Sequence, residues 1–355
     1  MIRSWMIYGA NGYTGMLITE LAVSKGMKPI IAGRNSNKII KIAEKYSLNS
    51  EVFSLDSIEV SAEKLNNIDI FLNCAGPFSK TAYVAMEACI RSKTNYLDIT
   101  GEIDIYEKAH SLNERARESK IVLCPGVGFD VIPTDCLSLL LKEKLPTATE
   151  LNLAFCSKGG SLSPGTLKTS IESLAKKGKI RSNGKIISVP IGHKMNKIDF
   201  GDGPKTTISI SWADVFTAFY SSRIENVSVF YPLSSRSIKK LRISRKLMVL
   251  FSINFIQVFI KSLISLFCKG PSEFDRKSSK MIIWGEVKDK KNKRVVGKFS
   301  IGNGYDVTAV GAIEAVHYLL KNSKYSGYFT PALLLGTSVL KKLPKFSGIE
   351  YELFN

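Results

Sequence analysis

The stretch Gly9-Ala10-Asn11-Gly12-Tyr13-Thr14-Gly15 lies between an apolar run, residues 5–8, and a helical pattern that begins at Met16. A strand, a glycine turn and a helix start, in this order, form the place where the pyrophosphate of a dinucleotide binds. Gly9 and Gly12 let the backbone approach a phosphate, and Gly15 lets the helix pack closely on the strand. The helix N-terminus offers unpaired N–H groups to the anion. We therefore predict that all seven residues contact a cofactor; the alternative is a glycine-rich turn between packed elements.

The chain of 355 residues is long enough for two domains, and its content of 45% hydrophobic and 23% charged residues is ordinary for a folded protein. Six cysteines occur without CxxC spacing, which indicates reduced core residues. The first residues already read as the first strand rather than as a charged and then apolar leader. We therefore expect no signal peptide and a cytoplasmic protein.

The net charge of +19 raises the question of nucleic-acid binding. The lysines are spread along the chain, however, and no helix-turn-helix, zinc-finger or RNA-binding signature accompanies them. The chain also lacks HExxH and GxSxG motifs, and its three histidines lie far apart in the sequence. We therefore expect no nucleic-acid partner, no metal site and neither zinc-dependent nor serine-dependent hydrolysis.

Strand and helix patterns alternate through residue 124, which predicts a doubly wound parallel sheet of the Rossmann type and hence the α/β class. The second predicted strand ends at Arg34-Asn35, where the adenosine ribose of a dinucleotide lies. An acidic residue there would bind the free 2′-hydroxyl, whereas the cationic fork of Arg34 suits a 2′-phosphate. The third strand ends near Asp56, a predicted neighbour of the adenine. These residues favour NADP(H) over NAD(H).

The fourth predicted strand, residues 68–74, is almost wholly apolar, as expected for a parallel strand that is covered on both faces. It runs into Ala75-Gly76-Pro77, a turn at the carboxyl end of a central strand. Such a turn borders the cofactor, so these three residues complete the predicted cofactor contacts.

From about Glu150 the pattern changes to longer alternating stretches, with a charged hairpin tip at residues 288–292. This pattern predicts a second, largely antiparallel α+β domain. We place the dinucleotide-binding domain at residues 1–137 and a substrate domain at residues 138–304, the latter containing an apolar helix at residues 247–268.

Eight stretches resemble the saccharopine dehydrogenase-like oxidoreductases, and within them the branch that includes trans-acting enoyl reductases. They are GANGYTG (9–15), AGRN (32–35), NCAGPFS (73–79), YLDITGE (96–102), GFDVIPTD (128–135), KGPSEFDR (269–276), GYDVTAVGAIEA (304–315) and TPALLLG (330–336). The resemblance implies a Rossmann domain that binds NADP, a mixed-sheet domain inserted after it, and a C-terminal segment, residues 305–355, that packs back on the first domain.

A reduction by hydride transfer needs a proton donor if the product carries an added proton. Asp98, Glu102, Asp130 and Asp135 lie at predicted strand ends or helix starts near the cofactor crevice, where the pKa of a carboxyl group rises. The alternative is that Asp98 and Asp130 are capping or turn residues. Tyr83 is a further candidate acid. His193, in a loop-like stretch of the second domain, is another.

These observations predict an NADP(H)-dependent oxidoreductase that reduces a C=C or C=N bond of a lipid-like or acyl substrate. The alternative is a non-catalytic nucleotide-binding scaffold at a membrane or lipid surface. Neither the oligomeric state nor the substrate is specified by the sequence.

A basic run directly precedes the apolar segment 247–268; it contains Arg236, Lys239, Lys240, Arg242, Arg245 and Lys246 without an acidic neighbour. Peripheral membrane proteins combine cations for anionic headgroups with an apolar face for the acyl boundary. The basic run and the apolar segment together predict a peripheral contact with the inner membrane surface or with lipid bodies. The alternative is that the apolar segment is a core helix and the basic run before it is solvated.

We expect the full chain to float with liposomes that contain anionic lipid, and to detach as salt is raised. Changing the six basic residues to Gln should reduce flotation, because this removes an attraction to anionic headgroups of at most about 6 kcal/mol before screening. A protein that stays unbound with every lipid mixture would support the core helix.

Overall fold

The computed structural model describes residues 4–168, 177–234, 236–238, 258, 260, 262–264, 267–268, 270–322 and 324–354. Two compact units make up the chain, and each is discontinuous in sequence. The first comprises Met1–Ile132 and Gly304–Pro344, and the second comprises Pro133–Asn303 and Lys345–Asn355.

The first unit contains a sheet in which every pairing is parallel, with the strand order β15-β6-β5-β4-β1-β2-β3. The order reverses between β1 and β4, which is the switch point at which dinucleotides bind in Rossmann sheets. The strands are β1 (Trp5–Tyr8), β2 (Ile30–Gly33), β3 (Ser50–Val52), β4 (Ile70–Asn73), β5 (Asn95–Asp98), β6 (Val122–Cys124) and β15 (Gly327–Tyr328).

Helices cover both faces of this sheet, so its strands are apolar on both sides, as the sequence predicts. Along β1, Met6 packs in one core cluster and Ile7 in the other. Helix α10 lies beside α1 and contributes Val316 to the second cluster. The helices are α1 (Tyr13–Ser24), α2 (Ser36–Tyr46), α3 (Ile58–Lys64), α4 (Phe78–Ser92), α5 (Ile103–Ser111), α6 (Asn113–Glu118), α10 (Gly304–Lys321), α11 (Pro331–Leu335) and a 3₁₀ helix (Thr337–Lys342).

The second unit contains a mixed sheet with the main order β10-β11-β12-β7-β13-β14-β16, in which β8 joins β12 and β9. All described pairings are antiparallel except that of β7 with β12. The strands are β7 (Glu150–Lys158), β8 (Gly178–Ser182), β9 (Lys185–Val189), β10 (Met195–Asp199), β11 (Pro204–Ile210), β12 (Asn226–Pro232), β13 (Lys280–Lys288), β14 (Arg294–Ile301) and β16 (Glu350–Phe354).

Helix α7 (Ile132–Lys144) begins at the boundary between the units and packs on the second sheet. Two paired glycines of the sheet make room for it. A Cβ on Gly285 would lie 2.8 Å from a methyl carbon of Leu141, and one on Gly297 would lie 3.0 Å from a methyl carbon of Leu137. Two further helices among the described residues of this unit are α8 (Asp214–Ser222) and α9 (Glu273–Ser278).

The predicted fold class is confirmed, since a parallel Rossmann-type sheet is accompanied by a second, mixed sheet. The unit boundary lies at residues 132–133, five residues before the expected position. The expected return of residues 305–355 to the first domain differs from the structure at its end. Residues 345–355 belong to the second unit, because β16 pairs with β14 from Arg294–Phe354 to Lys298–Glu350.

Candidate nucleotide-binding site

The glycine turn after β1 is a tight backbone structure that depends on a missing side chain. Gly9 has φ +81° and donates its N–H to the Ala32 carbonyl at 2.8 Å, while its own carbonyl accepts the Gly12 N–H at 2.9 Å. A Cβ on Gly9 would lie 2.8 Å from the Ala75 nitrogen. The turn after β1 therefore lies against the turn after β4, which brings two of the predicted cofactor-binding stretches together.

The start of α1 presents bare backbone in front of this turn. Its N-cap residue, Gly12, supplies no side-chain hydrogen bond to the first N–H groups of the helix. A Cβ built on Gly12 would meet only the Gly9 carbonyl oxygen, at 3.2 Å. Open space and N–H groups without a side-chain cap fit the pyrophosphate of a dinucleotide, whose charge the helix N-terminus also favours.

An aromatic contact holds α10 against the turn. The rings of Tyr13 and Tyr305 meet edge to face with centroids 5.0 Å apart. Tyr305 is the second residue of α10, and sequence reasoning did not single it out. Its position in the family stretch 304–315 was the available signal, but which residue of that helix reaches the turn depends on tertiary packing.

The carboxyl ends of β2 and β3 lie around the hydroxyl of Tyr8, which donates to the Phe53 carbonyl at 3.0 Å. Burial raises the pKa of Tyr8; the positive charge of Arg34 lowers it in part, and the negative charge of Asp56 adds to the rise. Arg34 is exposed, and no ion pair engages its guanidinium within the described part of the chain. Asn35 caps α2, since its side chain accepts the Lys38 N–H at 3.0 Å.

A buried polar chain supports the turn after β4. Asn73 accepts the Ala75 N–H at 3.0 Å and donates to the Thr81 hydroxyl at 3.2 Å and the Tyr96 hydroxyl at 3.4 Å. Thr81 in turn donates to the Ala75 carbonyl at 2.7 Å. These contacts position Ala75 and so also the peptide between Gly76 and Pro77, which is cis. Thr81 and Tyr96 were not predicted from the sequence, because their roles arise only from contacts between separate elements.

Asp98 is the last member of this series of buried hydrogen bonds and lies fully buried at the carboxyl end of β5. Its carboxylate accepts hydrogen bonds from the Tyr96 hydroxyl at 2.7 Å, the Thr100 N–H at 2.9 Å and the Gly126 N–H at 2.8 Å. Burial raises the pKa of Asp98 to about 6, although these three donors oppose the rise. Because its oxygens are occupied by the protein, Asp98 positions the loops after β5 and β6.

Asp130 lies in the loop between β6 and α7, against the loop that follows β5. Its Oδ2 atom lies 2.6 Å from where a Cβ of Gly101 would stand, so Gly101 is needed for this approach. Burial raises the pKa of Asp130 to about 7, a value at which the carboxyl group is substantially protonated in neutral solution. Such a group can donate a proton at physiological pH.

The other predicted acids contact neighbouring parts of the protein. Glu102 accepts the Phe78 N–H at 3.2 Å and so caps α4, whose N-cap residue is a proline. Tyr83 is 42% exposed on α4, with the Lys108 ammonium 4.3 Å above its ring, and the charge of Glu87 raises its pKa.

Asp135 belongs to the second unit, where it is buried and accepts a hydrogen bond from Ser221 at 2.6 Å. His193 is exposed in a turn of the same unit.

Asp98, Glu102 and Asp130 are thus brought together around the loop after β5, whereas Tyr83 points to neighbouring helices and Asp135 lies in the other unit. Within the described ranges, no group of three or more His, Cys, Asp or Glu residues is placed to hold a metal ion. No helix among the described residues combines the length and the apolar character that a bilayer span requires. Five of the six basic residues, Lys239 to Lys246, and residues 247–257 lie outside the described residues.

Residues 5–124, which carry the turn, the polar chain and Asp98, match the family model of the saccharopine dehydrogenase NADP-binding domain. This part of the chain is therefore similar to that domain family. The resemblance predicted from the sequence is thereby confirmed, and the saccharopine dehydrogenase NADP-binding domain implies a nicotinamide nucleotide cofactor.

Similar proteins extend this comparison beyond the saccharopine dehydrogenase NADP-binding domain. The chain is 24% identical to a saccharopine dehydrogenase-like oxidoreductase from Bos taurus, over 99% of this chain and 97% of the relative. It is 28% identical to a trans-acting enoyl reductase from Mycobacterium leprae, over 37% of this chain and 33% of that enzyme. Apo saccharopine dehydrogenase (L-Glu forming) from Saccharomyces cerevisiae shares the fold, with a TM-score of 0.63 at 10% identity over 99% of this chain and 100% of that one.

We expect that Gly12→Val abolishes binding of NADP(H) while the protein stays folded. The φ of Gly12 is −79°, which valine adopts, and its Cβ position meets only one backbone oxygen, so the branched side chain would occupy the open space that a pyrophosphate needs. Fluorescence titration with NADPH measures the affinity, and thermal unfolding checks the fold. Unchanged affinity in a folded variant would place the cofactor elsewhere.

Proposed function

We propose that this protein is an NADP(H)-dependent oxidoreductase that reduces a C=C or C=N bond of a lipid-like or acyl substrate. The observation that carries the proposal is the carboxyl group of Asp130, with a pKa of about 7, beside the carboxyl ends of β5 and β6. Reduction of either bond takes up one hydride and one proton. A bound nicotinamide supplies the hydride, and a protonated carboxyl group supplies the proton.

The preference for NADP(H) over NAD(H) rests on Arg34. Its guanidinium is exposed at the carboxyl end of β2, near Tyr8, and the described residues contain no carboxylate that pairs with it. A 2′-phosphate accepts hydrogen bonds from such a planar fork, whereas the 2′-hydroxyl of NAD(H) is recognised by an acidic side chain. The charge of Asp56 also acts on Tyr8, and Asp56 is held by Ser54, whose hydroxyl donates to it at 2.5 Å.

Arg34→Asp should lower the affinity for NADPH by about 1.5–3 kcal/mol, because a charge-assisted contact is lost and a like charge is added. The affinity for NADH should fall less or rise. Lys28→Asp is a matched control, since this exposed lysine precedes β2 at the opposite end of the strand. Direct titration of both nucleotides measures the change; equal affinities of the unaltered protein for NADH and NADPH would refute the role of Arg34.

Three residues of the chain define what the acid can do. Asp130 is partly protonated at neutral pH because burial disfavours the charged form and raises its pKa to about 7. Gly101 lets it lie against the loop after β5, and Asp98 holds that loop through the Thr100 N–H and the next loop through the Gly126 N–H. In this arrangement Asp98 is the positioning residue and Asp130 the proton donor.

Turnover should fall as the pH rises through about 7, since the donor form of Asp130 is lost there. Asp130→Asn should lower the rate by about 10²–10⁴-fold and remove this pH limb, while NADPH still binds. The raised pKa also affects the free energy of unfolding. Between pH about 4, the pKa in the unfolded chain, and pH about 7, the carboxyl group ionises in the unfolded chain but keeps its proton in the folded one. The stability should therefore decline across this range, and the decline should be absent in Asp130→Asn. A variant with unaltered rate and pH profile would exclude Asp130 as the acid.

The alternative is a non-catalytic nucleotide-binding scaffold at a membrane or lipid surface. Oxidation of NADPH, followed by absorbance with a panel of enoyl and imine acceptors, separates the two functions. An oxidoreductase consumes NADPH with at least one acceptor class, and the acceptor identifies the reduced bond. A scaffold binds the nucleotide without consuming it.

A further inference from the structure

The second unit contains a groove at the place where its two parallel strands separate. Strands β7 and β12 pair from Glu150–Asn226 to Ala154–Phe230 and no further. Beyond this point β7 continues beside β13, and β12 continues beside β11, where Tyr231 is opposite Ile208. Every second residue of the free part of β7 therefore turns its N–H and C=O groups toward the gap.

The gap opens into a groove of about 450 Å³. Its lining is rich in hydroxyl groups and contains one cation and no carboxylate. The residues are Cys156, Ser157, Lys205, Thr206, Tyr231, Pro232, Leu233 and Ser234. In open α/β sheets, ligands bind beyond the carboxyl ends of parallel strands, and both strands end here in that direction.

A cationic group is held at the groove by an ion pair with a shared carboxylate. The Lys205 ammonium lies 3.0 Å from Asp202, and the Lys158 ammonium lies 3.4 Å from the same side chain. The single negative charge of Asp202 neutralises only one of the two positive charges, which leaves a net positive charge beside the groove. An anion that enters the groove is therefore attracted by Lys205, and Asp202 can keep its ion pair with Lys158.

Tyr231 offers a hydroxyl donor on the opposite side. Its ring packs on Phe155, with centroids 5.3 Å apart, and Phe155 is in turn 4.5 Å from the ring of Trp212. Burial raises the pKa of Tyr231, so its hydroxyl keeps its proton at neutral pH. No residue of the described chain accepts a hydrogen bond from this hydroxyl, and the groove is where a ligand atom can do so.

We propose that the groove between the ends of β7 and β12 binds a phosphorylated small molecule, with the Lys205 ammonium and the Tyr231 hydroxyl contacting the phosphoryl group. A lysine with several hydroxyls suits phosphate, which takes lysine as a point charge, and no arginine fork for a carboxylate lines the groove. The volume exceeds what a single phosphate fills, so the groove has room for the organic part of a ligand beside Pro232 and Leu233. The proposal does not depend on the reaction catalysed.

Phosphorus NMR titration of the full chain with glycerol 3-phosphate tests this site, with NADP⁺ present to fill the turn at residues 9–15. Lys205→Gln should weaken binding about tenfold or more, the loss expected for a charge-assisted contact, and Tyr231→Phe about threefold. Lys185→Gln, an exposed lysine on β9 in the same unit, should leave it unchanged. Thermal unfolding verifies that each variant is folded.

Equal affinity of the Lys205→Gln and Lys185→Gln variants would overturn the proposal, as would the absence of binding to the unaltered protein. Inorganic phosphate is titrated in parallel; if it binds as tightly as the ester, no organic body occupies the groove. Loss of binding in Arg34→Asp but not in Lys205→Gln would assign the phosphate to the first unit. If the protein does not bind NADPH but Lys205→Gln still weakens the binding of glycerol 3-phosphate, the proposed function is refuted and the phosphate site in the second unit is supported.

Discussion

The first unit depends on one close approach between backbones. The turns after β1 and β4 meet at Gly9, where a Cβ would lie 2.8 Å from the Ala75 nitrogen. A Cβ on Gly15 would overlap the Gly9 carbonyl oxygen, so the start of α1 shares the same constraint. Because protein interiors are close-packed and yield little, a side chain at either glycine would push a strand end or the helix out of place. The crevice at the switch point exists because these atoms are absent.

The site is completed by polar groups that are buried but hydrogen-bonded. Thr81, Asn73 and Tyr96 join three elements, α4, β4 and β5, through their side chains, and Tyr96 then donates to Asp98 on its own strand. Buried polar groups without partners would cost free energy, so satisfied chains of this kind select one arrangement of the loops. Asp98 shows the effect of local environment most clearly. It is as buried as its neighbours, yet three donors restrain the rise of its pKa, whereas the pKa of Asp130 rises further.

The parallel sheet, the glycine turn and the position of Arg34 at a strand end were predictable, because each follows from local patterns. The apolar run 70–72 requires cover on both faces, and glycine spacing reports directly on backbone conformation. The end of the chain was assigned to the wrong unit, since the pairing of β16 with β14 joins residues 52 to 60 positions apart, and no local pattern reports such a pairing.

By itself the sequence determined the α/β class, the glycine turn and the resemblance to a family, because periodicity, glycine positions and short motifs are properties of neighbouring residues. Only the tertiary structure decided how the acidic residues differ. Asp98, Glu102 and Asp130 are equivalent candidates in the sequence. In the structure Asp98 accepts hydrogen bonds from Tyr96 and Gly126, Glu102 accepts one from Phe78, and burial raises the pKa of Asp130 to about 7. The groove between β7 and β12 was likewise invisible in the sequence. It exists because two strands distant in the chain pair for five residues and then part, and that is a property of the sheet.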